Sequence, residues 1–293
     1  MRLSIVELEP GVKRIRMRSW RGALVGYDVS AYLLGDVMVD TGFARGGRTL
    51  LDAAAALRPR GVVLTHWHED HAGNAPALAA RGIPMTMHAG CEALLREKPA
   101  IRLYRRVVWG QTAALRAPIV GFEVAPLALI DAPGHSADHL VVWDAERRIL
   151  VSGDLFLGVK VRVAHEEDES PRTLVASLRR MAALEPRVLL DAHRGLVRDA
   201  AAQLRAKASW NEDMIARIER LSAAGASPGE IVKRLFGGES AVGYVSGLEY
   251  SRRGFVRAVL REGARAGATD WRGGRGGTPE DAERGAAISP PDP

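Results

Sequence analysis

Residues 65–74 read THWHEDHAGN and gather three histidines, His66, His68 and His71, with the aspartate Asp70 inside six positions. Imidazole nitrogens and carboxylate oxygens are the ligands a borderline cation such as Zn²⁺ accepts, at roughly 2.0–2.2 Å. Residues 61–65, GVVLT, precede them as a short β-branched run that reads as a buried strand. The histidines therefore belong on the loop leaving its end. His66 and His68 alternate, whereas Asp70 and His71 are adjacent and cannot comfortably close on the ion the first two hold. Two ions, one on each side of the loop, are expected. A helical zinc motif sets two histidines four apart on one face, so this spacing favours a loop site.

Upstream, residues 11–17 and 29–34 read as strands, followed by DVMVDTG at 36–42. Asp40 in that turn is buried by context and needs a partner. Residues 47–57 have the Leu and Ala spacing of a helix, giving the order strand, helix, strand into the histidine loop. Downstream, 74–80 reads as a helix and 83–87 as a strand, with His88 an ordinary polar residue at its end. A helix at 92–97 leads into RLYRRVVWGQ. Arginine grips carboxylate or phosphate in bidentate fashion and rings cover apolar groups, so Tyr104, Arg105 and Trp109 are candidate substrate contacts. Core packing competes as the role of Trp109.

The Pro-Gly turn of DAPGHS presents His135, and strands follow at 140–143 and 149–152. Gly153 suits a turn before Asp154. The charged loop 158–171 comes next and carries His165, a further substrate-side candidate or a solvated loop residue. A helix at 172–184 and a strand at 188–191 deliver His193.

With 293 residues, 47% of them apolar, the chain is long enough for a large α/β domain and an appendage. No apolar run of about 18 residues and no basic leader with an apolar stretch is seen, so a cytoplasmic protein without a membrane partner is expected. The single Cys91 fits a reducing compartment. The net charge of +6 comes from scattered arginines, with lysine only at 13, 98, 160, 207 and 233, which argues against a nucleic-acid partner. From residue 200 the pattern is helical. Ser227 with Glu230 and Ser246 with Glu249 both have capping-box spacing. The expected divisions are 1–199, a helical subdomain at 200–263 that could lid the site, form a homodimer or cover the domain, and a disordered tail at 264–293.

THWHEDHAGN, with DAPGHS, VSGDLF and DAHRG following in order, resembles the signature of the metallo-β-lactamase superfamily over about residues 12–195. The resemblance implies a four-layer αββα sandwich with a small C-terminal helical appendage. It also implies His66, His68 and His135 on a first metal, Asp70, His71 and His193 on a second, and Asp154 bridging them. Asp40 would steady the metal loop. His139 matches a position that is histidine in glyoxalase II-type members, near the metals without being a usual ligand.

The implied cofactor is two Zn²⁺ per chain, with Fe or Mn as alternatives. The implied chemistry is hydrolysis of a small thioester, lactone or related ester by a metal-bound hydroxide, with Asp70 as the catalytic carboxylate orienting it. Lactamases of the superfamily characteristically have Cys or Ser where Asp154 stands, and residues 200–263 lack the glutathione-binding pattern of glyoxalase II. A persulfide dioxygenase with one iron, held by two histidines and the aspartate, and a phosphodiesterase or ribonuclease of the same superfamily are the alternatives.

Overall fold

The computed structural model describes residues 1–98 and 100–273. Six strands form the first sheet in chain order: β1 (Arg2–Glu9), β2 (Val12–Arg18), β3 (Val29–Leu34), β4 (Val37–Val39), β5 (Gly61–Val63) and β6 (Met85–Thr86). Neighbours from β1 to β4 are antiparallel, and β4, β5 and β6 are parallel. The second sheet is built from β7 (Ala128–Asp131), β8 (Leu140–Asp144), β9 (Ile149–Gly153), β11 (Val188–Asp191) and β12 (Gly195–Arg198), ordered β12-β11-β9-β8-β7. A short ladder joins β10 (Ala164–His165) to β13 (Tyr250–Ser251).

Residue parity along the strands explains the layers, because successive side chains of a strand point to opposite faces. Tyr32, Leu34, Val37 and Val39 meet Val142, Ile149, Val151, Val188 and Leu190 between the sheets. The alternate residues Ala31, Leu33 and Met38 face outward to α2 (Gly47–Leu57), α3 (Ala75–Ala79) and α4 (Ala89–Glu97). On the other side, Val141, Leu150 and Leu189 face α6 (Pro171–Ala183) and the first half of α7 (Ala200–Ala223). The result is the expected αββα sandwich, and the near-continuous apolar runs of β9 and β11 follow from burial on both faces.

The expected boundary at 199/200 does not separate two cores. Ala200, Leu204 and Ala208 of α7 complete the outer layer of the second sheet, while Met214, Ile215 and Ile218 pack with α8 (Pro228–Phe236) and α10 (Arg252–Gly273). One helix thus belongs to both layers. The capping box of Ser227 and Glu230 forms at the start of α8. Ser246 and Glu249 do not make one: Ser246 is the C-cap of α9 (Ala241–Val245), and Glu249 accepts cations instead. The last helix continues to Gly273, past the expected start of the tail, and residues 274–293 lie outside the described residues. Among the described residues no helix is long and apolar enough to cross a membrane.

Leu178 on α6 is fully buried against the second sheet and α7. Leu178→Ala is expected to lower the unfolding free energy by about 2–5 kcal/mol, measured by urea denaturation.

Candidate metal centre

The loops that leave β4, β5, β9 and β11 and the turn between β7 and β8 converge at one end of the sandwich, the carboxyl ends of several strands. Open α/β sheets commonly bind ligands there. The convergence brings together all seven residues that the resemblance assigns to metals. Three groups of donor atoms lie within 4.8 Å of one another: His66, His68 and His135; His66, His71 and Asp154; and Asp70, His71 and His193.

Asp154 stands between the two outer groups. Its Oδ1 is 3.1 Å from His71 Nε2 and 3.3 Å from His193 Nε2, and its Oδ2 is 3.5 Å from His135 Nε2. His68 Nε2, His71 Nε2 and Asp154 Oδ1 are buried without a well-formed hydrogen bond. Buried polar atoms left unpaired are costly, and a divalent cation matches His71 Nε2 with Asp154 Oδ1, as it does the cluster in which His68 Nδ1 lies 2.9 Å from His66 Nε2 and 3.1 Å from His135 Nε2.

The ring tautomers follow from the partners. His71 Nδ1 is 2.8 Å from the Asp40 carboxylate and His193 Nδ1 is 2.8 Å from the Asp28 carbonyl, so each Nδ1–H donates outward and leaves Nε2 free for an ion. Electrostatics separates the groups. Burial pushes His66 and His68 well below the usual histidine range and His135 down to about 3. These imidazoles are neutral and keep their lone pairs. Burial acts on His71 and His193 too, yet Asp154 with Asp40 and Asp70 carries His71 well above its usual range, and Asp154 and Asp70 carry His193 up to about 9. The second group therefore sits where carboxylates favour positive charge.

Three buried aspartates hold the loops. Asp40, in a left-handed backbone at φ 64°, accepts the Thr65 backbone N–H at 2.8 Å and the Thr65 hydroxyl at 2.9 Å as well as His71. Asp138 accepts Trp67 N–H at 2.9 Å and the Ser136 hydroxyl at 2.7 Å, joining the histidine loop to the His135 turn. Asp191 accepts His193 N–H at 2.9 Å and Leu157 N–H at 2.8 Å, joining the His193 turn to the segment after Asp154. His139 Nε2 accepts the Asp154 N–H at 3.1 Å, and at Gly153 (φ 49°) a Cβ would come within 2.8 Å of that nitrogen.

A cavity of about 610 Å³ opens over the site. Trp20, Val108, Trp109, Val161, Val245 and Phe255 give it apolar walls, with His68, Asp70, His135, Asp154 and His193 at the polar end. Of the expected substrate contacts, Tyr104 and Trp109 line it, Trp109 also resting on Phe43 at 5.4 Å between ring centroids. Arg105 reaches it too, but its guanidinium is committed to Glu69 and so is no open grip for an anion. His165 faces Glu249 at 3.4 Å instead of the cavity. The sequence reading passed over Tyr27, Glu169 and Lys207, which also line the cavity. Lys207 is buried on α7 and donates to the Leu155 and Phe156 carbonyls beside Asp154.

Asp40→Ala is expected to weaken divalent-metal binding about 10–100-fold, read with added Zn²⁺ by competition with a chromophoric chelator. Glu169 gives a pH signature, because burial pushes its carboxyl up to about 8 from 4.5. A carboxyl raised on folding contributes fully below about 4.5 and loses that contribution as pH rises through about 8. In metal-free protein, Glu169→Gln should therefore gain stability relative to wild type between pH 5 and pH 9. Urea midpoints whose difference stays constant over that range would contradict it.

The metallo-beta-lactamase superfamily model matches residues 24–193. The chain is 30% identical over 143 residues to the lactamase-like protein nscB of Trichophyton rubrum, covering 49% of this chain and 39% of that protein. It is 33% identical over 133 residues to the thioesterase pkgB of Emericella nidulans, covering 45% and 33%. These matches span less than half the length of either relative. A metallo-beta-lactamase family protein from Thermus thermophilus superposes with a TM-score of 0.63 at 20% identity, covering 89% of this chain and 96% of that one. The sandwich, the His/Asp cluster at its end and the family match over more than half of the sequence agree: the chain belongs to the metallo-β-lactamase superfamily.

Proposed function

We propose that the protein is a dinuclear zinc hydrolase that cleaves a thioester, lactone or related ester carrying a sizeable apolar group. The observation that carries this reading is the position of Asp154, with one carboxylate oxygen toward His71 and His193 and the other toward His135. His66, His68 and His135 would hold one ion, Asp70, His71 and His193 the other, and Asp154 would touch both. A bound ion pair supplies an activated water at neutral pH and a Lewis acid for the acyl oxygen.

The chain's own groups do the rest. Asp70 lies at the polar end of the cavity with Oδ2 3.5 Å from His193 Nε2, where its carboxylate would orient the attacking water and take its proton. The apolar walls bury the acyl group and keep bulk water from the reacting carbonyl, which strengthens the electrostatic stabilisation of the oxyanion. The cavity is large for the small ester expected from sequence and falls in the range of sites that enclose drug-sized ligands. The thioesterase named among the relatives supports an ester-like bond. A single-iron site held by two histidines and Asp154 would leave four of the seven donors, Asp70, His71 and His193 among them, without a metal.

Asp154→Ala should lose at least one zinc by elemental analysis and lower turnover by about 100-fold or more. A variant that keeps both ions and full activity would remove the bridge. On the zinc-loaded protein, acyl thioesters and lactones should be hydrolysed while bis(p-nitrophenyl) phosphate is left intact; the reverse preference would favour the phosphodiesterase.

A further inference from the structure

Glu69 sits between His68 and Asp70, one residue from each of the two proposed metal groups, and is itself 2% exposed. Arg105, in α5 (Leu103–Val108), meets it as a fork, Nε to Oε1 at 2.6 Å and Nη2 to Oε2 at 2.5 Å. The same guanidinium reaches Glu249 Oε1 at 3.5 Å through Nη1. It also lies 5.8 Å from the ring centroids of both Trp67 and Tyr250. One side chain therefore holds the metal loop by Glu69 and Trp67 and the C-terminal segment by Glu249 and Tyr250.

That segment is part of the cavity, since Ala241, Val242, Val245, Ser246 and Tyr250 line it. It has further ties: Arg102 donates to the Gly247 carbonyl at 3.2 Å, and Tyr250 pairs with His165. A buried guanidinium forked to the buried Glu69 carboxylate and facing the partly buried Glu249 fixes geometry tightly, because a forked pair tolerates little rotation and Glu69 cannot turn to water.

We propose that Arg105 is a positioning residue that couples the C-terminal cavity wall, residues 241–251, to the metal loop, so that seating the wall sets the aim of His68 and Asp70. The coupling to metal binding rests on the proposed two-ion site; the coupling between the segments does not.

Glu249→Gln tests it, since Glu249 touches Arg105 but no residue of the metal loop. The expected result is faster amide hydrogen exchange in residues 241–251 and also in 66–71, by about 10-fold or more, with the amides of β11 unchanged. Zinc affinity, read by chelator competition, should fall by about 10-fold, within the range for groups that orient ligands. Arg105→Met should give the larger effect in both segments, and Arg105→Lys, which keeps the charge without the fork, should recover part of it. Glu249→Gln that loosens 241–251 while leaving the exchange of 66–71 at the wild-type rate would overturn the coupling. A wild-type protein that binds no zinc would sink the metal reading, and the exchange rates would still decide this one.

Discussion

Burying four imidazoles and two carboxylates, with the partly buried His193 beside them, at one end of the sandwich creates the constraint that shapes the surrounding structure. Each such group loses water, so every lone pair and N–H must find a partner or an ion. The fold answers with buried acids that accept backbone N–H groups. Asp40, Asp138 and Asp191 each hold two pieces of chain that are distant in sequence, and each bond fixes the direction of a histidine-bearing loop. His71 and His193 are thereby left with Nε2 facing inward, while His68 turns its Nδ1 toward His66 and His135.

The sheets serve this arrangement. Parallel pairing of β4 with β5 and of β9 with β11 puts successive loops at the same end. Links across the sheets close that end: Leu140 donates to the Thr65 carbonyl, Ser30 to the Ala192 carbonyl and the Tyr32 hydroxyl to the Asp191 carbonyl. The helix α7 contributes from outside, its buried Lys207 taking the two carbonyls that follow Asp154. The C-terminal helices form a wall of the same cavity, so the division into a catalytic domain and an appendage does not describe how the site is built.

Much of this was readable from sequence because local patterns carried it. The helix at 47–57 and the strands at 29–34 and 188–191 fall where apolar spacing put them, and His66 to His71 announce themselves by density. His135, Asp154 and His193 were reached only through the family resemblance, since nothing local distinguishes them from other turn residues. Glu69 was overlooked although it lies inside the motif, because its role depends on Arg105, 36 positions away. The same reason hid Asp138, Asp191 and Lys207: a buried ion or hydrogen-bonded acid is defined by long-range partners that periodicity does not report. Ser246 and Glu249 showed the converse, where a spacing compatible with a helix cap was overridden by tertiary ion pairing.

The proposed function requires that one pocket hold two cations joined by Asp154. An anomalous difference map collected at the zinc edge from zinc-loaded crystals tests it most directly. Two peaks about 3.5–4 Å apart are predicted, one against His66, His68 and His135 and the other against Asp70, His71 and His193, with Asp154 in reach of both. A single peak, or two peaks of which one lies away from Asp154, would contradict the account.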